Sequence, residues 1–183
     1  MVSLQGQFLI ASPHLDDPHF LRAVVLMVQH DDEGAFGLML NRQFERQLAD
    51  VLTPEFGEEW NCEMPVYVGG PVPGPLIAIH NSEEYAEQSI IPGVFLSARR
   101  EAMDALIQEP FCDLRVFHGY SGWGAGQLED ELEAGGWLVA SASAEDIFSD
   151  VDELWGRIAS RINLDILTDS TNLKHVPDDP TWN

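Results

Sequence analysis

Apolar positions in this chain come in short blocks whose spacing shifts from a strand-like pattern in the first half to a helix-like one in the second. Gln7 to Ser12 predicts a strand that ends at Pro13, and Pro13 to Pro18 predicts a polar loop. Ala23 to His30 is an apolar, β-branched run of the kind that forms a buried strand. Asp31 to Gly34 predicts a turn and Ala35 to Asn41 a second strand, so the two strands form a hairpin. A short helix is predicted over Gln47 to Leu52, followed by an irregular acidic stretch from Thr53 to Pro65 anchored by Trp60. Val66 to Val68 is strand-like, Gly69 to Gly74 reads as a rigid turn, and Pro75 to His80 is strand-like again.

Beyond Val94 to Leu96, another short strand, the period lengthens. Ser97 is a candidate N-cap for a helix running through Gln108. Leu114 to His118 and Trp137 to Ser141 predict strands that flank a glycine-rich loop and a helix over Gln127 to Glu133. Ile147, Val151, Leu154, Trp155, Ile158 and Ile162 recur at helical spacing and predict one closing amphipathic helix. The chain turns polar near Asn163 and ends through Pro177-Asp178-Asp179-Pro180, which defines a domain over 1–163 and a C-terminal tail over 164–183. Strands joined by tight turns, with helices only later, argue for α+β with a mixed sheet rather than a regular βαβ repeat.

Charge narrows the function classes. Nine Lys and Arg against 31 Asp and Glu give a net charge of −22. Nucleic-acid affinity comes largely from cations that neutralise phosphates, so direct DNA or RNA binding is disfavoured. The apolar runs are far shorter than a membrane span requires, and the first residues lack the features of a signal peptide. Cys62 and Cys112 stand alone without a Cys-x-x-Cys pairing, which favours a reducing compartment and a cytoplasmic location.

The densest motif is His118-Gly119-Tyr120-Ser121-Gly122-Trp123-Gly124-Ala125-Gly126-Gln127. It misses the nucleophile elbow because Trp123 stands where the last glycine belongs. It lacks the Gly-Lys-Ser/Thr ending of a phosphate loop, and its third glycine comes one residue early for a dinucleotide fingerprint. Glu129, Asp130 and Glu131 in the helix that follows repel an anion. The favoured reading is an organising turn, with a wall of a ligand site as the second. Ser12-Pro13-His14-Leu15-Asp16-Asp17-Pro18-His19 offers metal-type ligands, but a surface loop capped by Asp17 explains it better, and no metal is expected. Ser12 or Ser121 with His30, His80 or His118 would supply a serine hydrolase or transferase, though no spacing ties one to another. Asn41 suits a strand terminus, and Arg42 is one of few cations available to pair structurally or to hold an anion.

Taken in order, these pieces resemble the YqgE/AlgH family of bacterial proteins. The resemblance rests on Phe8-Leu9-Ile10-Ala11-Ser12-Pro13 with Asp17-Pro18-x-Phe20, on Gly37-Leu38-Met39-Leu40-Asn41-Arg42, and on Val68-Gly69-Gly70-Pro71-Val72. It continues through Gly119-Tyr120-Ser121-Gly122-Trp123, Gly126-Gln127-Leu128-Glu129, Trp137 and the Leu154-Trp155 helix, from about Gln5 to about Ser160. Gln43 departs from the proline usual after Asn-Arg. The resemblance implies a single α+β domain with a partly barrel-like sheet and flanking helices. It implies little about activity, although some members carry the label of transcriptional regulator of alginate synthesis.

The reading this supports is a non-enzymatic cytoplasmic binding or regulatory protein without a cofactor. Its strand-end motifs (Ser12, Asn41, Arg42, Gly69, Gly70, Gly119, Tyr120, Ser121, Gly122, Trp123 and Gln127) would converge to hold a small molecule or a protein segment. Neither a nucleic acid nor a membrane is an expected partner, and regulation would be indirect.

Overall fold

The structure, a computed structural model, describes residues 2–13, 15, 17–51 and 64–172, and their side chains except at 46 and 164–172. Ten strands form one curled sheet: β1 (Gln7–Ala11), β2 (Val24–Asp31), β3 (Gly34–Met39), β4 (Gln43–Gln47), β5 (Pro65–Val68), β6 (Val72–His80), β7 (Gln88–Ile91), β8 (Val94–Ser97), β9 (Leu114–Gly124) and β10 (Trp137–Ser141). Their order is β10-β1-β2-β3-β9-β6-β8-β7, with β4 paired to β5 and β5 to β9. The β5–β9 pair is parallel and the other pairs are antiparallel, so the sheet is mixed. Helices α1 (Arg100–Gln108), α2 (Gln127–Glu133), α3 (Ala144–Phe148) and α4 (Leu154–Asn172) accompany it. The result is a single α+β domain around a half-barrel.

Strand β9 is the hub. On one edge it pairs with β6; on the other it pairs first with β5, through Val116 to His118, and then with β3, through Ser121 to Gly124. The glycine-rich stretch is therefore mostly strand, and the predicted turn shrinks to Ala125-Gly126. The local glycine signal misled because these glycines serve close backbone crossings. Gly119 takes φ +71 and bends the strand where it changes partner, and a Cβ on Gly69 would run into the Gly119 carbonyl.

Both faces of the sheet are covered, which is why Val24 to Val28 reads as an unbroken apolar run rather than an alternation. Phe8, Leu26, Leu38 and Phe117 point to the concave side, where Ile147 from α3 and Leu154, Ile158 and Ile162 from α4 fill the half-barrel. Leu9, Val25 and Met27 point the other way, onto Trp123, Trp137 and Leu128 of α2. A third cluster joins Val66, Leu76 and Val116 to Met103 and Leu106 of α1. The sheet curls until the end strand β7 meets β2 and the entry to β1: Gln88 Nε2 donates to the Val28 carbonyl at 3.1 Å, and a Cβ on Gly6 would press on Ile91.

Several predicted boundaries move. Ser97 is not an N-cap: it ends β8, buried, and α1 starts after Arg99 with no side-chain cap of its own. Glu87 takes that role, accepting the N–H groups of Ala98 at 3.1 Å and Arg99 at 2.9 Å. Burial pulls the Glu87 carboxyl upward, but those donors and the Arg99 guanidinium outweigh it and hold the group below its ordinary value. The closing helix breaks into α3 and α4. Ser143 caps α3, and the break is tied down by Arg115, whose Nη2 donates to the Ser149 carbonyl, and by Arg157, which donates to the Ser149 hydroxyl. Val72 to Gly74 belong to β6 instead of a turn, with an irregular register between Val72 and Leu76. Gln47 ends β4, and only 48–51 is helical before the described residues stop. Residues 52–63, which hold most of the acidic stretch and Trp60, lie outside the described residues, as do His14, Asp16 and the chain beyond 172; Pro65, read as the end of that stretch, already opens β5.

Candidate functional site

Asn41 and Arg42 follow β3 and turn their side chains onto the chain that enters β2. Asn41 Oδ1 accepts the Val24 N–H at 2.9 Å, and its Nδ2 donates to the Arg22 carbonyl at 2.8 Å. Arg42 Nη2 donates to the Leu21 carbonyl at 3.0 Å. Together they clamp Leu21 to Val24, within which Arg22 has φ +54, the one positive φ at a non-glycine residue among those described. A side chain in that region costs about 1–2 kcal/mol. The clamp's hydrogen bonds, about 1 kcal/mol each, offset it.

The clamped turn projects Leu21 into solvent and lays Arg22 across the indole of Trp155, 5.6 Å from guanidinium carbon to ring centre. Trp155 is itself fixed by its Nε1–H, which donates to the Ala11 carbonyl at 3.0 Å. Arg22 and Asn41, with Asp152, Glu153, Trp155, Gly156, Arg157 and Ser160, line a groove of about 600 Å³. One wall is the strained turn and the other is the start of α4. Arg157 and Arg161 both reach Asp146, at 3.5 Å and 2.8 Å. Burial pulls the Asp146 carboxyl upward, but bonds from Arg161 and Ser143 with the two positive charges outweigh it and hold it below its ordinary range.

The other residues singled out in the sequence fall into three places. Gly69, Gly70, Gly119, Tyr120, Ser121 and Gly122 meet at the crossing of the β5–β6 connection with β9, where buried Ser121 donates to the Gly69 carbonyl at 3.0 Å. This crossing adjoins Asn41-Arg42, since Val68 N–H donates to the Arg42 carbonyl and Met39 N–H to that of Gly69. Trp123 and Gln127 belong to a second assembly centred on Glu131. Its carboxylate accepts the indole N–H groups of Trp123 at 2.9 Å and Trp137 at 2.8 Å, and the Gln127 amide at 2.9 Å, with Phe20 packed on both indoles. Ser12 Oγ donates to the Gly135 carbonyl at 2.6 Å, beside that assembly. Of the eleven, Asn41 alone lines the groove.

The acidic residues of α2 are thus partly employed: Glu129 meets His30 Nε2 at 2.9 Å while Glu131 holds the indoles. Among the described residues His80 and Ser97, a pair that sequence reading did not propose, are in direct side-chain contact at 3.0 Å. Ser97 Oγ donates to the Tyr85 carbonyl, so its hydrogen points away from the imidazole, and the hydroxyl oxygen accepts from His80 Nε2 instead of offering it a proton. Both residues are fully buried, and the pair locks β6 to β8. Among the described residues no group of three or more His, Cys, Asp or Glu is placed to hold a metal. Arg22, Trp155, Arg157 and Ser160 escaped the sequence reading. Trp155 looked like core, at helical spacing, and the clue to Arg22 was the scarcity of cations.

The sequence pattern of the AlgH-like family matches residues 8–167. The chain belongs to that family. A UPF0301 protein of Myxococcus xanthus is 38% identical over 163 residues, covering 85% of this chain and 88% of that one. One from Xylella fastidiosa is 39% identical over 181 residues, covering 93% of this chain and 96% of its own. The solution structure of the AlgH protein from Pseudomonas aeruginosa superposes with a TM-score of 0.77 at 31% identity, over 91% of this chain and 94% of that one. A crystal structure from Corynebacterium diphtheriae shares the fold at 22% identity, with a TM-score of 0.67 over 88% of each chain. This AlgH-like chain has no helix, among the described residues, long and apolar enough to cross a membrane.

Proposed function

We propose that this chain is a non-enzymatic binding domain with an indirect regulatory role in the cytoplasm, and that its working surface is the groove between the Leu21–Arg22 turn and α4. The observation that carries this reading is the clamp. Two side chains of a family motif, Asn41 and Arg42, are spent on holding an exposed, left-handed, non-glycine turn at the rim of a groove. Strain of this kind persists where the surroundings over-determine it and concentrates at ligand clamps. The groove's volume lies within the range of small-molecule sites. A net charge of −22 favours control through a small molecule or a protein segment over contact with an operator.

The test is a chemical-shift titration of the labelled protein with a panel of nucleotides, sugars, organic acids, amines and divalent metals. A ligand of this surface moves the resonances of Arg22, Asn41 and Trp155, and Asn41→Ala weakens it. Shifts confined to the β9 crossing or to α2, or none for any compound, would overturn the reading.

A further inference from the structure

Building on that reading of the groove, we infer that it receives a small monocarboxylate with an apolar body, its carboxylate on the Arg22 guanidinium and its body against Trp155. The chain has nine Lys and Arg for 31 Asp and Glu, so an arginine whose guanidinium is engaged neither by a carboxylate nor by a backbone carbonyl stands out; Arg115, for one, donates to the Ser149 carbonyl. Around this end of the fold the other arginines are occupied. Arg157 and Arg161 converge on Asp146, and Arg42 is bonded to the Leu21 carbonyl. Elsewhere Arg99 pairs with Glu87 and Arg100 with Asp104. Arg22 has no carboxylate within ion-pair distance among the described residues; its guanidinium meets the face of Trp155 instead.

A guanidinium on an aromatic face keeps its N–H groups pointing outward in its plane, the fork that accepts a carboxylate through two parallel bonds. The backbone that carries it and the indole it faces are both held in advance, because Asn41 and Arg42 bond to the Arg22 and Leu21 carbonyls and Ala11 holds Trp155. Preorganisation of this kind lowers the ordering cost of binding. The groove's about 600 Å³ leaves room for a body well beyond the carboxylate.

Asp152 and Glu153 line the same groove and limit the ligand's charge. One carboxylate finds a cation at close range; a second negative charge meets these carboxylates and the field of the whole chain. Phosphomonoesters and nucleotides are therefore rejected where a monoacid is accepted.

The experiment compares 3-phenylpropionate with its amide, its amine analogue and phenyl phosphate, by calorimetry and by the Trp155 indole resonance. The acid should bind saturably in the millimolar range or tighter and shift that resonance. Binding should weaken by about tenfold in Arg22→Ala, the loss of one charge-assisted contact. Arg22→Gly, which keeps the left-handed turn without strain, should lose binding equally, and Arg22→Lys should recover part of it. Asp152→Asn with Glu153→Gln should admit phenyl phosphate. The inference falls if the amide binds as tightly as the acid, if both Arg22 variants bind normally, or if phenyl phosphate is preferred. Should an amine, a sugar or a nucleotide move the groove resonances while the acid does not, the monocarboxylate is wrong and the binding surface stands. If a compound binds only elsewhere on the fold, both fall.

Discussion

The Asn41 side chain bonds to the backbone of Arg22 and of Val24, donating to the first through Nδ2 and accepting from the second through Oδ1. One amide thus joins the end of β3 to the entry of β2 and fixes the strained residue between the groove and the core. Asn41→Ala removes both bonds and leaves the N–H of buried Val24 unpaired, while the exposed Arg22 carbonyl turns to water, a loss of about 1–3 kcal/mol. Urea unfolding measures it. Asn41→Asp should do no better, since a carboxylate oxygen would face the Arg22 carbonyl. An alanine variant as stable as the parent would show that the clamp carries no strain.

Arg22 itself separates backbone from side chain. Arg22→Ala keeps a Cβ at φ +54 and loses the stacking on Trp155; Arg22→Gly loses the same stacking and relieves the backbone. Glycine should therefore be the more stable of the two variants by about 0.5–1 kcal/mol, the relief of a left-handed residue less the extra freedom of an unfolded glycine. Equal midpoints in thermal unfolding would remove the left-handed turn from the account.

At the β9 crossing the constraint is space. A Cβ on Gly69 meets the Gly119 carbonyl and comes within 2.9 Å of the Leu38 side chain. The first is backbone and has nowhere to go. Gly69→Ala should cost at least about 2 kcal/mol and separate β5 from β9, seen as a lowered melting temperature and faster exchange of the Gly69 amide, which donates to the His118 carbonyl. Unchanged exchange would place the two backbones farther apart than the structure has them.

His80 gives an acid-sensitive contribution to stability. Burial lowers its pKa below the ordinary 6.5, against smaller opposing effects from Ser82 and Glu87. The unfolded chain binds this proton first, so the contribution is complete above about pH 6.5 and is lost progressively as pH falls toward the lowered folded value. In His80→Gln that part of the decline should vanish from urea midpoints taken between neutral and mildly acid pH. A variant with the parent's slope would assign the decline to other groups.

Much of the frame was legible in single stretches. The apolar run from Ala23 to His30 is β2 almost to the residue, and Gln127 to Glu133 is α2 as read, because both are written in consecutive side chains. The polar strands β4 and β7 were not visible; Gln43-Phe44-Glu45-Arg46-Gln47 and Gln88-Ser89-Ile90-Ile91 carry weak patterns and pair through backbone groups that any residue supplies. Ser97 had the chemistry of a cap, and β8 buried it beside His80.

The amino-acid sequence by itself determined the class of fold, the order of most strands, the acidic surface and the family. These follow from composition and from spacing among near neighbours, where side-chain period and backbone preference act directly. The tertiary structure decided that the glycine-rich stretch is a bent strand, because Gly119 is read correctly only with Gly69 against it. It also decided that Asn41 and Arg42 are a clamp and that Arg22 rests on Trp155. Those contacts join segments far apart in the chain, and no local pattern encodes which backbone a side-chain amide or a guanidinium will meet once the sheet has curled.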